Sequence, residues 1–218
     1  MNKFDVAVID YGVGNLLSVK RGLEYCGAKV NVTDDKDLIM SASRVVLPGV
    51  GAFSDGMDGL RDTGLDKTVH DIVKKGIPLL GICLGMQMLL DESEEFGLSK
   101  GLGLIPGRVV PIPSLTINNK SQKIPHIGWN SLVPPEEKKS WEGTLLNDIN
   151  PGDSVYFVHS FMSNTAEPKH RIANCIYGGI KIPAVIGKGR TVGCQFHPEK
   201  SGEIGLNIYK NLKKDYCS

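Results

Sequence analysis

The segment Gly81-Ile82-Cys83-Leu84-Gly85 carries the strongest chemical signature in the chain. It has the G-x-S-x-G spacing of a nucleophile elbow, with cysteine in the serine's place. A nucleophile held in a tight strand-to-helix turn leaves no room for β-carbons two residues either side, which accounts for both glycines. The sulfur then stands at the carboxyl edge of a sheet and at a helix N-terminus, where the macrodipole stabilises negative charge. Taken alone, the same pentapeptide also fits a structural cysteine in a glycine-flanked turn.

A base and its orienting group stand in Gln195-Phe196-His197-Pro198-Glu199. In extended chain, residues two apart share a face, so Glu199 can reach the imidazole of His197 and fix its tautomer. Pro198 fixes its own φ and biases His197 away from helix. A thiol, an imidazole and a carboxylate are the parts of an acyl-transfer triad. The third piece is the glycine-rich stretch Leu47-Pro48-Gly49-Val50-Gly51. An elbow nucleophile needs an oxyanion hole, built from the amide after the nucleophile (Leu84) and one from a neighbouring loop. Gly49-Val50-Gly51 can supply that second N–H, and its glycines permit a peptide flip.

These groups must be positioned by a scaffold, and the first ninety residues predict one. Strand-like Phe4–Ile9, Lys29–Val32, Arg44–Leu47 and Ile77–Ile82 alternate with helical Leu16–Tyr25, Asp35–Met40, Phe53–Leu60, Leu65–Lys75 and Met86–Leu90. Such alternation predicts an α/β fold, a mainly parallel sheet flanked by helices. Beyond Leu102 come the strand-like pieces Arg108–Val110, Ile127–Val133, Ser154–Phe161, Ile172–Tyr177, Ala184–Ile186 and Thr191–Phe196. One more helix, Glu203–Leu212, follows. With no linker-like stretch between the halves, these strands are expected to extend the same sheet in antiparallel fashion, making residues 1–218 one domain. Pro134–Lys139 is expected to be an exposed charged loop.

Composition bounds the function. Lysine and arginine number 25 against 24 acidic residues, a net charge of +1, so no bulk electrostatic attraction to nucleic acid exists. No apolar run approaches the ~20 residues that cross a bilayer, and the N-terminus lacks the pattern of a signal peptide, so a cytoplasmic chain is expected. Five cysteines without C-x-x-C spacing fit neither a disulfide framework nor a zinc site. Glycine is in excess, 26 of 218 residues against a usual ~7%. Gly12-Val13-Gly14 fails as a dinucleotide fingerprint because position 17 is Leu17.

Together the segments resemble the class I, or triad-type, glutamine amidotransferases. Within that class, Asp10–Leu16, Leu47–Gly51, Gly81–Gln87, Pro125-His126-Ile127-Gly128-Trp129-Asn130, Tyr156–Ser160 and Gln195–Ser201 resemble the glutaminase subunits of imidazole glycerol phosphate synthases. The P-H-x-G-W-N segment is the most specific of these. The resemblance implies Cys83 as nucleophile on L-glutamine, His197 as acid and base, Glu199 as its orienter, and the Val50 and Leu84 amides as oxyanion hole. It implies Gly49, Gly51, Gln87, Glu95, Ser160 and Phe161 around the substrate, Glu95 suiting the ammonium group. Phe161 departs from the tyrosine common at that position and removes its hydroxyl. The implied partner is a (β/α)8 barrel cyclase that receives ammonia, met by Gly12, Asn15, Trp129, Tyr156 and Lys200. No cofactor or metal is implied. A related reading is a paralogue supplying ammonia to a sugar amidotransferase.

Without the resemblance, Trp129 reads as core and Lys200 as a solvated charge. Cys26, Cys175 and Cys194 sit among apolar residues and read as core, with Cys217 in a loose tail. His70 and His170 read as solvated. His126 and His159 fall in family-like segments, but only His197 has a carboxylate two residues away.

Overall fold

In the computed structural model, which describes residues 4–136 and 140–214, the elements in chain order are β1 (Val6–Ile9), α1 (Leu16–Tyr25), β2 (Val30–Thr33), α2 (Lys36–Ser41), β3 (Arg44–Leu47), α3 (Phe53–Asp62), α4 (Leu65–Lys74), β4 (Leu79–Ile82) and α5 (Leu84–Met88). Then follow the short β5 (Glu92–Ser93) and β6 (Ser99–Lys100), β7 (Gly107–Pro111), β8 (His126–Ser131), β9 (Ser154–His159), β10 (Phe161–Thr165), β11 (Arg171–Tyr177), β12 (Ile180–Lys188), β13 (Thr191–Cys194) and α6 (Gly202–Leu212).

The main sheet has seven strands in the order β11-β12-β13-β4-β3-β1-β2. Its β13-β4-β3-β1-β2 portion is parallel, and β12 and β11 add to it antiparallel. Period-two alternation divides the strand residues between two cores. Val6, Val8 and Leu80 pack on one face with Val19 and Leu23 of α1 and Tyr209 of α6. Ala7, Ile9 and Leu79 pack on the other with Phe53 and Met57 of α3 and Val69 of α4. Burial on both faces is why these strands are continuously apolar.

The expected antiparallel extension holds only for β11 and β12, since β13 joins β4 in parallel. The pieces at 108–110, 127–133 and 154–161 instead form two smaller sheets, β10-β7-β5-β6 and the β8-β9 pair. The expected strand Ser154–Phe161 is also two strands. Up to His159 it pairs with β8, and from Phe161 it pairs with β7. Ser160 is the changeover, its carbonyl accepting from the Ile112 amide at 2.9 Å. Both Ser160 and Phe161, at this exchange of partners, line a cavity.

His170 is buried, not solvated, because the 3-10 turn Pro168–His170 packs against β12. Pro135 is buried and Glu136 exposed beside Lys181. The rest of that charged stretch, and Cys217, lie outside the described residues. No described helix is long and apolar enough to cross a membrane.

Candidate active site

Four neighbouring parallel strands, β1, β3, β4 and β13, end at the same edge of the sheet, and each hands its next residues to one place. Ligands of open α/β sheets bind outside this carboxyl edge. Cys83 follows β4 directly, with φ 54° and ψ −109°, a conformation rare for a side-chain-bearing residue. Its amide donates to the Cys194 carbonyl of β13 at 2.8 Å, fixing the turn to the neighbouring strand. Both flanking glycines are sterically required. A β-carbon on Gly85 would lie 1.9 Å from the Leu47 carbonyl oxygen, and one on Gly81 would lie 2.7 Å from the Gly85 oxygen.

Beyond β13 the chain passes Gln195 and reaches His197, whose Nδ1 is 2.8 Å from Glu199 Oε1, with both side chains nearly inaccessible. Burial alone would lower the His197 pKa, but the neighbouring Cys83 thiol and Glu199 carboxylate outweigh it and hold the imidazolium up to about 9. His197 Nε2 is buried without a well-directed hydrogen bond, an alignment that in unliganded sites often tightens only when substrate arrives. Tyr209 of α6 stands behind the pair, its phenol pushed well up by burial and by Glu199.

A cavity of about 260 Å³ opens over the thiol. Its walls include Val50, Gly51, Cys83, Leu84, Gln87, Glu95, Ser160, Phe161 and His197, as well as Val158 and His159. These residues are therefore brought together from five segments of the chain. Gly49 and Glu199 stand one layer back: Gly49 packs against Tyr11 and Leu84, and Glu199 lies behind the imidazole. A larger hollow of about 450 Å³ beside Trp141 and Pro151 holds neither a thiol nor an imidazole. Among the described residues, no group of three or more His, Cys, Asp or Glu could hold a metal.

The wall opposite the thiol is organised by side-chain amides and imidazoles. Gln195 Nε2 donates to Cys83 Sγ at 3.7 Å and its Oε1 accepts from Gln87 Nε2 at 3.0 Å. Gln87 Nε2 also donates to the Phe161 carbonyl at 3.2 Å. That carbonyl accepts from His159 Nδ1 at 2.8 Å, so His159 Nε2 must accept from His126 Nδ1, 3.0 Å away. Burial keeps both imidazoles neutral, lowering His126 and holding His159 down to about 4. Glu95 is anchored too, Oε2 accepting from the Phe53 amide at the start of α3 at 2.7 Å. Gln195 was legible as part of a motif but not as a contact of the thiol. The rule that links His197 to Glu199, applied two residues back, places Gln195 on the same face.

Of the remaining expected residues, Trp129, Tyr156 and Lys200 form one cluster. The β8-β9 pair buries His126, Phe157 and His159 on one face and exposes Ile127 and Trp129 on the other, Trp129 being 58% exposed. Trp129 meets Tyr156 edge-to-face at 6.1 Å between ring centroids, and Lys200 Nζ lies 5.9 Å from the Tyr156 ring centre. Trp129 is thus no core residue. Val158, opposite Ile127 in the pair, lines the cavity, so this apolar face reaches the cavity wall. Gly12 is exposed and Asn15 half-buried at the head of α1.

The family described as glutamine amidotransferase class-I matches residues 7–212. This chain belongs to that family. It is 53% identical over 207 residues to an imidazole glycerol phosphate synthase subunit HisH from Legionella pneumophila, covering 95% of this chain and 97% of that relative. It is 48% identical over 206 residues to a HisH subunit from a Geobacillus species, covering 94% of each. Among solved structures it is similar in fold to PurLQS from Thermotoga maritima, with a TM-score of 0.72 at 19% identity over 95% of this chain and 96% of that one. The glutaminase domain of a Trypanosoma brucei CTPS with bound acivicin has a TM-score of 0.64 at 16% identity, covering 98% and 97%. As a class-I amidotransferase, the chain is an enzyme acting on glutamine, and its mixed sheet with flanking helices is that of its fold neighbours.

Proposed function

We propose that this chain is the glutaminase subunit of an imidazole glycerol phosphate synthase, hydrolysing L-glutamine with a Cys83-His197-Glu199 triad and passing the ammonia to a (β/α)8 barrel cyclase that makes imidazole glycerol phosphate and AICAR. The observation that carries the chemistry is the convergence of the Cys83 elbow and the Glu199-held His197 in one cavity. The extent of identity to the HisH relatives supports the choice of pathway.

Cys83 Sγ attacks the side-chain amide carbon of glutamine, and the carbonyl oxygen becomes an oxyanion. The Leu84 amide, as the first N–H of its helix, has no intrahelical acceptor and is available to it. The Val50 amide is the second donor. His197, charged at neutral pH, gives its Nε2 proton to the departing nitrogen, and ammonia leaves a thioester on Cys83. The now neutral His197 takes a proton from water, whose oxygen attacks the thioester. Glutamate leaves, and the proton returns to the thiol–imidazole pair. Glu199 holds Nδ1 throughout. Glu95 receives the α-ammonium with the oxygen not bound to Phe53. Gln87, Gly49, Gly51 and the backbone of Ser160 and Phe161 shape the rest of the pocket, without the hydroxyl that tyrosine would bring at 161.

Trp129, Tyr156, Lys200, Gly12 and Asn15 form the seat of the barrel subunit in this reading. The apolar β8-β9 face supports it, since a large exposed aromatic beside a cavity wall marks an interaction surface. A cytoplasmic setting accords with four described cysteines, all unpaired. The test is glutamate release by the chain alone and with the barrel subunit and its ligand, together with complementation of a histidine auxotroph lacking this subunit. Strong stimulation and growth are expected. Turnover indifferent to the barrel, or failure to complement, contradicts the assignment.

A further inference from the structure

The loop between β3 and α3 is fastened at its two ends and open in its middle. At its far end Phe53 donates its amide to Glu95. At its near end the Tyr11 hydroxyl donates to the Pro48 carbonyl at 2.7 Å. Between them Gly51 has φ +96° with open space around it, and Val50 is partly exposed. Tyr11 is almost completely buried, and burial, followed by the nearby Cys83, pushes its phenol well up, so it remains a donor at any working pH. Its hydroxyl comes so near the loop that a β-carbon on Gly49 would lie 2.5 Å from it. The backbone of Tyr11 is held just as closely: a β-carbon on Gly59 of α3 would lie 2.9 Å from the Tyr11 carbonyl oxygen. The next residue is exposed Gly12, whose amide is tied back to Asp10 Oδ1 at 3.1 Å.

We propose that Tyr11 is a positioning residue of the oxyanion loop, its hydroxyl fixing the Pro48 carbonyl so that the following peptides present an N–H over Cys83. The role rests on the reading of Gly49–Gly51 as that loop. A phenol anchored between β1 and α3 is a fixed point against which a glycine-rich segment can turn. It also joins the loop physically to Gly12–Asn15, so a partner touching that surface acts on the segment through one buried hydrogen bond.

The test is Tyr11→Phe in the full chain assembled with its barrel partner. Phenylalanine keeps the ring in the core and deletes the bond. We expect kcat for glutamine hydrolysis to fall about tenfold, less than the roughly 100- to 1000-fold that loss of an oxyanion donor itself brings, because Tyr11 acts through the loop, with KM within about threefold. Alkylation of Cys83 by iodoacetamide forms a C–S bond, expels iodide and develops no oxyanion, so its rate should stay within about twofold of the unaltered protein. Unchanged kcat overturns the proposal. So does a parallel fall in alkylation, or a variant that does not fold, because either makes the hydroxyl a general support of the core. Gly49→Ala supplies a second measurement: its loss of kcat should be smaller in the Tyr11→Phe background, where the hydroxyl it meets is gone, and additive losses contradict the contact. Persistence of turnover in Cys83→Ala, assayed alongside, would instead sink the underlying assignment.

Discussion

The His197 amide donates to the Tyr156 carbonyl at 3.0 Å, so the imidazole-bearing residue of the cavity and the aromatic residue of the exposed cluster share a backbone bond. Ser201 closes the link. Its Oγ accepts from the Tyr156 amide at 3.0 Å and donates to the His197 carbonyl at 2.6 Å. Three hydrogen bonds thus tie the backbones of Tyr156 and His197.

Replacing Ser201 with alanine leaves a buried amide and a buried carbonyl without that partner. The cost expected is about 1–3 kcal/mol of stability, visible as a lower denaturation midpoint, with a fall in glutamate release. A variant as stable and active as the parent would show that the bridge is incidental.

Gln195 is expected to matter as much to turnover as to packing. Gln195→Leu removes the N–H directed at Cys83 Sγ and the acceptor of Gln87, at similar volume. A loss of about 1–3 kcal/mol at the transition state corresponds to a roughly 5- to 150-fold lower kcat/KM. Steady-state kinetics on glutamine measure it, and a value within twofold of the parent rejects the role.

Acid should destabilise the fold through the buried imidazoles. Burial comes first in holding His159 down to about 4; the bond to the Phe161 carbonyl opposes it, and His126 and His197 reinforce it. The unfolded chain takes up this proton near pH 6.5, before the folded one does. The contribution is therefore full above pH 6.5 and is lost as pH falls from there toward 4, on the order of 3 kcal/mol in all. Urea denaturation across that interval should be steeper in pH for the parent than for His159→Gln. Equal slopes would place the acid sensitivity elsewhere.

The glycines sort by what surrounds them. Gly85→Ala drives a β-carbon into the Leu47 backbone and should leave little folded protein. Gly12→Ala meets open space and carries only the penalty of φ +87°, about 1–2 kcal/mol. Soluble yield and thermal midpoint distinguish them, and similar midpoints would contradict the elbow geometry.

Much of this was legible in the chain itself, and the failures have physical causes. α1 and β3 fall at the expected Leu16–Tyr25 and Arg44–Leu47 because apolar periodicity and flanking turn residues act locally. The two smaller sheets were not foreseen, since β7 and β10 pair across some fifty intervening residues and short strands carry no mark of which partner they take. His170 is buried against β12, which begins ten residues on and gives no local sign of that packing. The strand-to-helix turn at Cys83 and the contact of Glu199 with His197 were readable because both follow from local spacing. Tyr11 was not, because its partner Pro48 lies 37 residues away and nothing in a lone tyrosine reports the carbonyl it will meet.

The central claim, that Cys83 is the nucleophile toward glutamine, is tested most directly by mass-spectrometric mapping after exposure to a glutamine-like chloroketone, with and without free glutamine. One adduct on Cys83, slowed by glutamine, is the predicted result. Labelling spread over Cys26, Cys175 and Cys194, or labelling of Cys83 that glutamine does not slow, would contradict it.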